Sequence, residues 1–233
     1  MGSDVPSQPM RFFVMKKLLG GQHDTDFFKA EPANRGPAPQ CPQCGGTVGM
    51  LIWQPPYQSE LELHGEDYGD LADGPGNELL VTERFAEDFK LGGLTGLSGF
   101  HPVEIVRVVR NRPGPAPGPP PRYLVVRTEY GGPALDTERS RVKGRRPMAC
   151  NWCRSVGVDA VDGLALEEGT WNGEDMFRPR GLSGTIIVTE RFMRFAERYA
   201  MSHMTFVPIE KYVWDPAGHF YPHSMQTDPP GRG

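Results

Sequence analysis

Four cysteines are the residues whose types and spacing could do chemistry, and they form two C-x-x-C pairs, Cys41/Cys44 and Cys150/Cys153. Two thiolates three positions apart can bind one tetrahedral metal ion from a single turn, and a second pair completes a four-cysteine site. Such a closed site stabilises a fold and leaves no position for a substrate. The cysteines therefore predict one structural zinc ion.

The residues around the two pairs differ. Cys44 is followed by Gly45 and Gly46, and in a zinc knuckle such glycines let backbone amides point at sulfur, whereas Cys153 is followed by Arg154. The rival interpretation is a redox dithiol, whose motif would sit at a helix N-terminus after a strand. Both pairs lie between segments rich in proline, glycine and arginine, which favours the structural metal site.

An internal repeat explains why the two pairs are so far apart in the chain. Six landmarks recur in the same order, with an offset that shrinks smoothly from 111 to 106 residues. These landmarks are 11–16 and 122–127, Gly-Gly at 20–21 and 131–132, the two cysteine pairs, Gly-Glu-Asp at 65–67 and 173–175, Val-Thr-Glu-Arg-Phe at 81–85 and 188–192, and 100–104 with 206–210. We expect two copies of one unit, with the metal joining them.

The repeat predicts the domain organisation. The predicted segments are a flexible N-terminus at 1–9, copy one at 10–110, a stiff Pro/Gly connector at 111–121, copy two at 122–215 and a C-terminal tail at 216–233. Met10 is a candidate natural start. Each copy is predicted to be α+β, with short strands, one main helix and one C-x-x-C knuckle.

Local patterns support these elements. Residues 59–64 alternate between apolar and polar, as a half-buried strand does. Thr82 and Thr189 stand where helix N-caps are expected, each followed by a glutamate that the helix dipole favours. Phe192, Phe195 and Tyr199 recur at helical spacing and predict one apolar face.

Composition excludes several classes of protein. The formal net charge is −4, whereas a generic nucleic-acid binder carries a basic excess. No run approaches the roughly 18 apolar residues that a membrane span needs. The N-terminus has no secretory signal pattern, so the expected location is the cytoplasm, where thiols stay reduced. Nucleophile-elbow, Walker and dinucleotide motifs are missing, so we expect no enzyme.

Seven acidic residues between 60 and 78 have no Lys or Arg among them, and Glu78 is the last. Such a run is usually a solvated loop, and the sharper interpretation is a surface for a basic partner. The predicted partner-binding residues are Glu60, Glu62, Glu66, Asp67, Asp70 and Asp73.

A basic run precedes the second cysteine pair, and its members are Arg139, Arg141, Lys143, Arg145 and Arg146. It could contact phosphate, but the overall acidity and the lack of interleaved aromatic residues favour an exposed loop. The repeated Gly-Glu-Asp triplets are interpreted as turns rather than acid/base pairs.

The combination of the Arg-Phe-Phe-Val strand at 11–14, the two C-x-x-C pairs and the Val-Thr-Glu-Arg-Phe box resembles the double-CXXCG motif proteins of myxobacteria. The likeness runs from Met10 to about Tyr221, and Arg154 departs from it where glycine is expected. That family includes immunity proteins of Sit-type polymorphic toxin systems. The resemblance implies a cytoplasmic protein that binds and neutralises a cognate toxin. The alternatives are a zinc-ribbon-like regulatory or nucleic-acid-binding adaptor and a thiol redox enzyme.

Overall fold

The structure is a computed structural model that describes residues 10–29, 34–114 and 117–221. Within these ranges the chain forms fourteen strands and two α-helices. The strands are β1 (Phe12–Lys17), β2 (Thr25–Lys29), β3 (Gln58–Leu63), β4 (Leu71–Asp73), β5 (Leu79–Thr82), β6 (Leu97–Pro102), β7 (Glu104–Arg110), β8 (Tyr123–Ala134), β9 (Val142–Gly144), β10 (Val158–Asp162), β11 (Met176–Arg180), β12 (Ile186–Thr189), β13 (Met204–Pro208) and β14 (Val213–Trp214). The helices are α1 (Glu83–Leu91) and α2 (Glu190–Arg198).

The predicted α+β class is wrong, because the fold is mostly β. Each helix has only nine residues, about two and a half turns. The sequence patterns missed many strands because most of these are short, and alternation with period two needs length to become visible. Strands β5 and β12, which run into the two helices, are buried at every position, and their residues are continuously apolar apart from the final threonine.

One large sheet of eight strands forms the centre of the molecule. Its strand order is β13-β1-β12-β11-β8-β5-β4, and β6 pairs with β8 beside this path. The sheet is mixed, since β11 and β8 run parallel while β1 and β12 are antiparallel.

The two sequence repeats exchange their first strands within this sheet. Strand β1 pairs with β12 of the second repeat, and Phe12 lies opposite Thr189. Strand β8 pairs with β5 of the first repeat, and Tyr123 lies opposite Thr82. The two registers are equivalent, because Tyr123 is the repeat counterpart of Phe12 and Thr82 is the repeat counterpart of Thr189. Neither repeat therefore completes its sheet from its own residues.

The two helices pack against each other over the sheet. The Thr82 hydroxyl accepts a hydrogen bond from the backbone N–H of Phe85 at 3.3 Å, and the Thr189 hydroxyl accepts one from Phe192 at 3.2 Å. Both predicted N-caps are confirmed. The rings of Phe85 and Phe192 lie 6.2 Å apart in the main core, where Phe195 is also buried.

Two smaller sheets of three strands flank the large one, with the orders β2-β3-β7 and β14-β10-β9. Strand β3 alternates as predicted, because Leu61 and Leu63 are buried while Glu60 and Glu62 are on the other face and half-buried. These flanking sheets carry the loops that hold the cysteines.

Neither helix of the described part of the chain is long and apolar enough to cross a membrane. The predicted flexible segment at 1–9 lies outside the described residues, as does the tail from 222 onwards.

Candidate metal centre

The four cysteines lie on two loops from different repeats. Knuckle one, residues 41–46, belongs to the loop between β2 and β3, and knuckle two, residues 150–155, connects β9 to β10. All four sulfur atoms lie within 4.8 Å of one another. The structure therefore brings together the complete set of cysteines that the sequence predicted.

Two of the sulfur–sulfur distances between the knuckles match tetrahedral coordination. Cys41 Sγ lies 3.8 Å from Cys150 Sγ, and Cys44 Sγ lies 3.9 Å from Cys153 Sγ. A tetrahedral ion with metal–sulfur bonds of about 2.3 Å needs sulfur atoms about 3.8 Å apart. A disulfide would need about 2.05 Å, and all four cysteines are free thiols. The cluster can hold one metal ion.

The two knuckles have the same backbone geometry although their sequences differ. The N–H of Gly45 donates to the carbonyl of Cys41 at 2.9 Å, and the N–H of Arg154 donates to the carbonyl of Cys150 at 2.9 Å. Gly45 has φ of 68° and Arg154 has φ of 53°, so both occupy the left-handed region. Knuckle two thus adopts the glycine conformation without glycine.

Arg154 is held in this conformation by its own side chain. Its Nε donates to the carbonyl of Asn151 at 3.1 Å, and its terminal nitrogens bind the carbonyl of Leu135 and the carboxylate of Glu167. The side chain is only 16% exposed. A left-handed residue with a Cβ is disfavoured by about 1–2 kcal/mol, which these contacts offset.

Backbone amides prepare the sulfur atoms for a metal. Backbone N–H groups of Cys153 and Trp152 lower the pKa of Cys150 to about 7, whereas burial raises the pKa of Cys153 to about 11. In knuckle one, burial raises the pKa of Cys41, but hydrogen bonds from the backbone N–H groups of Cys44 and Gln43 lower it further, so that this pKa lies below its ordinary value. In each knuckle the first cysteine therefore loses its proton more readily than the second, and a bound cation would deprotonate the second thiol.

Aromatic and cationic side chains cover one side of the cluster. The guanidinium of Arg180 lies 5.1 Å from the centre of the Trp152 ring and donates to the Trp152 carbonyl at 3.2 Å. Tyr130 packs edge-on against Trp152 at 6.2 Å, and burial raises the pKa of Tyr130 to about 12. Tyr130 is therefore neutral at physiological pH and acts through packing.

Neither knuckle begins a helix, because each is a turn between strands. The redox dithiols that served as the rival interpretation rely on a helix N-terminus to stabilise a reactive thiolate. In this protein the backbone amides of the turn, rather than a helix N-terminus, lower the pKa of the first cysteine of each pair. The geometry favours a metal site.

The predicted acidic residues are not all exposed and unpaired. They are spread over β3 (Glu60 and Glu62), the following loop (Glu66, Asp67 and the buried Asp70) and β4 (Asp73). Strand pairing and loop packing bring cations to several of them. Arg107 pairs with Glu60 at 2.6 Å, and Lys17 pairs with Asp73 at 3.2 Å. These cations come from distant positions, so the local sequence could not show them.

Asp70 has a structural role that its place in the acidic run does not reveal. It accepts hydrogen bonds from the Thr82 hydroxyl at 2.8 Å and from the backbone N–H of Ser202 at 2.9 Å, and it pairs with Arg84. Asp70 is only 6% exposed. Its carboxylate ties β4 and α1 of one repeat to the segment after α2 of the other, and it is not available to a partner.

Asp175 makes the matching connection in the opposite direction. It accepts from the Thr189 hydroxyl at 2.9 Å and from the backbone N–H of Thr95 at 3.0 Å, and Arg191 pairs with it at 3.0 Å. The structural counterpart of Asp175 is therefore Asp70, whereas the alignment of the Gly-Glu-Asp triplets pairs Asp175 with Asp67. Asp175 lies in the bend immediately before β11, as predicted, and its buried carboxylate also joins the two repeats.

The basic run before knuckle two is largely neutralised, and part of it is strand β9 rather than loop. The ion pairs are Arg139 with Asp136, Arg141 with Asp162 and Arg145 with Asp159. This pairing leaves little excess positive charge for phosphate binding.

His203 and Asp24 form a buried polar pair that no sequence pattern indicated. His203 is 3% exposed, its Nδ1 lies 2.7 Å from the carbonyl of Leu71, and its Nε2 lies 3.3 Å from Asp24 Oδ1. Burial lowers the pKa of His203. A lone histidine in a loop has no motif, so only the tertiary structure could identify it.

No protein-family model matches the chain. The likeness to the double-CXXCG proteins thus depends on the motifs themselves, and the function that it implies is a proposal.

Proposed function

We propose that this protein is a non-catalytic immunity protein that binds and neutralises a cognate toxin in the cytoplasm, and that one structural zinc ion holds its two repeats together. The observation that carries the zinc site is that four sulfur atoms from both repeats lie within 4.8 Å of one another, with two distances between the repeats of 3.8 and 3.9 Å. Zinc would be held by Cys41, Cys44, Cys150 and Cys153. It would supply no reaction chemistry, because four thiolates fill its coordination shell.

Metal analysis of the purified protein tests the zinc site. We expect one zinc per chain and four thiols that become reactive only after denaturation with a chelator. Four tetrahedral thiolates also suit iron, which is coloured, whereas zinc is spectroscopically silent. Bound iron or two native disulfides would contradict the zinc proposal, and the same sample distinguishes the three states by absorption spectrum, metal content and thiol count.

The toxin-binding role is supported by the resemblance of the motifs and by the closed nature of the metal site. Co-expression with the toxin encoded beside its gene tests it directly. Cells that produce both proteins should survive, and the two proteins should co-purify. Survival without a complex would instead indicate that the chain destroys the toxin or its product.

The adaptor alternative has weaker support because the basic run is paired with acids. Salt-sensitive binding to random double-stranded DNA would favour it over the immunity role. We expect no such binding at 0.1 M salt.

A further inference from the structure

The turn after each helix is built alike in the two repeats, but its last residue differs. The backbone N–H groups of Thr95 and Ser202 each donate to the buried aspartate of the other repeat. The next residue is Gly96 in the first repeat and His203 in the second, and both have a positive φ, 100° and 65°. A Cβ at Gly96 would lie 1.8 Å from the carbonyl oxygen of Met176, so a side chain does not fit there. The second repeat instead places an imidazole ring at the junction between the repeats.

The ring of His203 is enclosed by residues of the first repeat. Its Nδ1 lies 2.7 Å from the carbonyl oxygen of Leu71, and a carbonyl can only accept, so Nδ1 carries a proton. Gly69 makes room for the ring, because a Cβ at that glycine would lie 2.7 Å from the Cβ of His203. The tautomer is therefore fixed, and Nε2 is the position at which the ring would take up a second proton.

Nε2 of His203 faces Asp24 without a hydrogen bond. The distance from Nε2 to Asp24 Oδ1 is 3.3 Å, yet both atoms are buried and neither has a hydrogen-bond partner among the described residues. The two atoms are close but not aligned for a bond. A proton on Nε2 would therefore place a charge in a site that offers it neither water nor an aligned acceptor, which is far less favourable than a neutral ring.

Charged groups on the neighbouring elements act on His203 in opposite directions. Burial has the largest effect and lowers its pKa, and Lys17 of β1 lowers it too. The bonded carbonyl, Asp24 and Asp26 of β2 raise it, but the pKa stays below its ordinary value. Lys17 is itself paired with Asp26 and with Asp73 of β4. The neutral ring is therefore the form that fits this site at neutral pH.

We propose that His203 is an acid-sensitive latch between the repeats, whose neutral ring closes the loop at 18–24 against β4 and whose protonation opens that contact. The N–H of Leu18 donates to the carbonyl of His203 at 3.5 Å, and Asp24 accepts from the N–H of Gly20 at 2.5 Å. These bonds join the loop to the turn that carries the ring. The loop displays Leu18 and Leu19, which are exposed, so opening would reposition an apolar loop. The latch does not depend on the toxin-binding role.

The sign of the pH dependence follows from the lowered pKa. A histidine whose pKa is lower in the closed state than in the open state stabilises the closed state above its ordinary pKa. That stabilisation is lost as the pH falls through the pKa of the closed state. A difference of one pKa unit between the two states corresponds to about a tenfold change in the opening equilibrium.

Hydrogen–deuterium exchange of the zinc-loaded full chain at pH 7.5 and pH 5.0 tests the latch. After correction for the chemical effect of pH on exchange, we expect peptides from 18–24 and 200–204 to exchange about tenfold faster at pH 5.0. Peptides from α1 should keep their rates. His203→Asn should lose the response, because asparagine tolerates a positive φ and keeps a donor for Leu71 but does not titrate. The matched control is His64→Gln, at a partly exposed histidine beside Glu62, which should respond as the wild type does.

An NMR titration of the His203 ring gives the midpoint in the same protein. Asp24→Asn removes a carboxylate that raises this pKa, so the midpoint and the opening should both move to lower pH. A wild-type midpoint above the ordinary range of histidine would show that Asp24 holds the charged ring in place, and would overturn the latch. The same follows if His203→Asn responds like the wild type, or if the wild type does not respond.

Melting temperature at pH 7.5 and zinc content at both pH values show that each variant is folded and that the metal is retained. If His203→Asn does not fold, the NMR midpoint and its shift in Asp24→Asn still decide the proposal.

Discussion

Knuckle one and knuckle two reach the same turn by different means. Gly45 enters the left-handed region because it has no Cβ, whereas Arg154 is held there by hydrogen bonds from its guanidinium to carbonyls and a carboxylate. Both turns then direct backbone amides at their first sulfur atom. The comparison shows that what the two repeats share at this site is a backbone geometry, and that a side chain can replace glycine if the surrounding fold offers it enough acceptors.

The largest expected effect comes from removing a ligand from either knuckle. Cys41→Ser and Cys153→Ser should each abolish zinc binding, because both knuckles bind the same ion and the loss of one ligand releases it from both. We expect each to lower the stability by at least about 3 kcal/mol, which is about 6–12 °C in melting temperature for a chain of this size. Gln43→Ala, within the same turn but not a ligand, is the control. Metal retained in either cysteine variant would show that the knuckles do not share a site.

A smaller effect is expected at the two buried aspartates. Asp70→Asn and Asp175→Asn should each destabilise the protein by about 2–4 kcal/mol, because each leaves an arginine and an N-cap threonine without their anion. Denaturant unfolding measures both. Similar values would indicate equivalent roles in the two repeats, and Glu66→Gln, at an exposed acid of the same run, should change the stability by less than about 0.5 kcal/mol. A neutral Asp70→Asn would refute the structural role assigned to Asp70.

Exchanging the special residues of the knuckles tests the comparison itself. Gly45→Ala should destabilise by about 1–2 kcal/mol, since alanine has a Cβ in the left-handed region and gains no compensating contact. Arg154→Gly should be tolerated better than Arg154→Ala by about 1 kcal/mol, because glycine relieves the backbone while both variants lose the guanidinium contacts. Melting curves of the zinc-loaded variants give the order. Equal values for the two Arg154 variants would mean that its backbone conformation is not under strain.

The smallest effect concerns reactivity rather than stability. In the metal-free protein at pH 8, Cys150, with its pKa of about 7, is mostly thiolate, whereas Cys153, with its pKa of about 11, is mostly thiol. Iodoacetamide should therefore modify Cys150 at least tenfold faster than Cys153, and the difference should narrow as the pH rises toward 11 and Cys153 is deprotonated. Peptide mass spectrometry follows both sites. A faster reaction at Cys153 would contradict the roles assigned to the amides of the turn.

Several features were predictable because their causes are local. The N-cap positions of Thr82 and Thr189 follow from the side-chain oxygen that a helix start needs, and the burial of Leu61 and Leu63 follows from the alternation of a strand. The set of four cysteines that could hold a metal ion was predictable from their number and spacing. Fold class was not, because short strands such as β4 and β9 carry too few residues to show a period.

Other features depended on contacts between residues far apart in the chain. Strands β1 and β8 are exchanged between the repeats, and Asp70 bonds to a residue of the other repeat. The ion pairs of the acidic run also join residues from different loops or strands. The sequence by itself determined which residues could bind a metal and where the helices begin, since these properties belong to single side chains and their immediate neighbours. Only the tertiary structure decided which acids are buried and which are paired, because burial and pairing are properties of what packs against a residue.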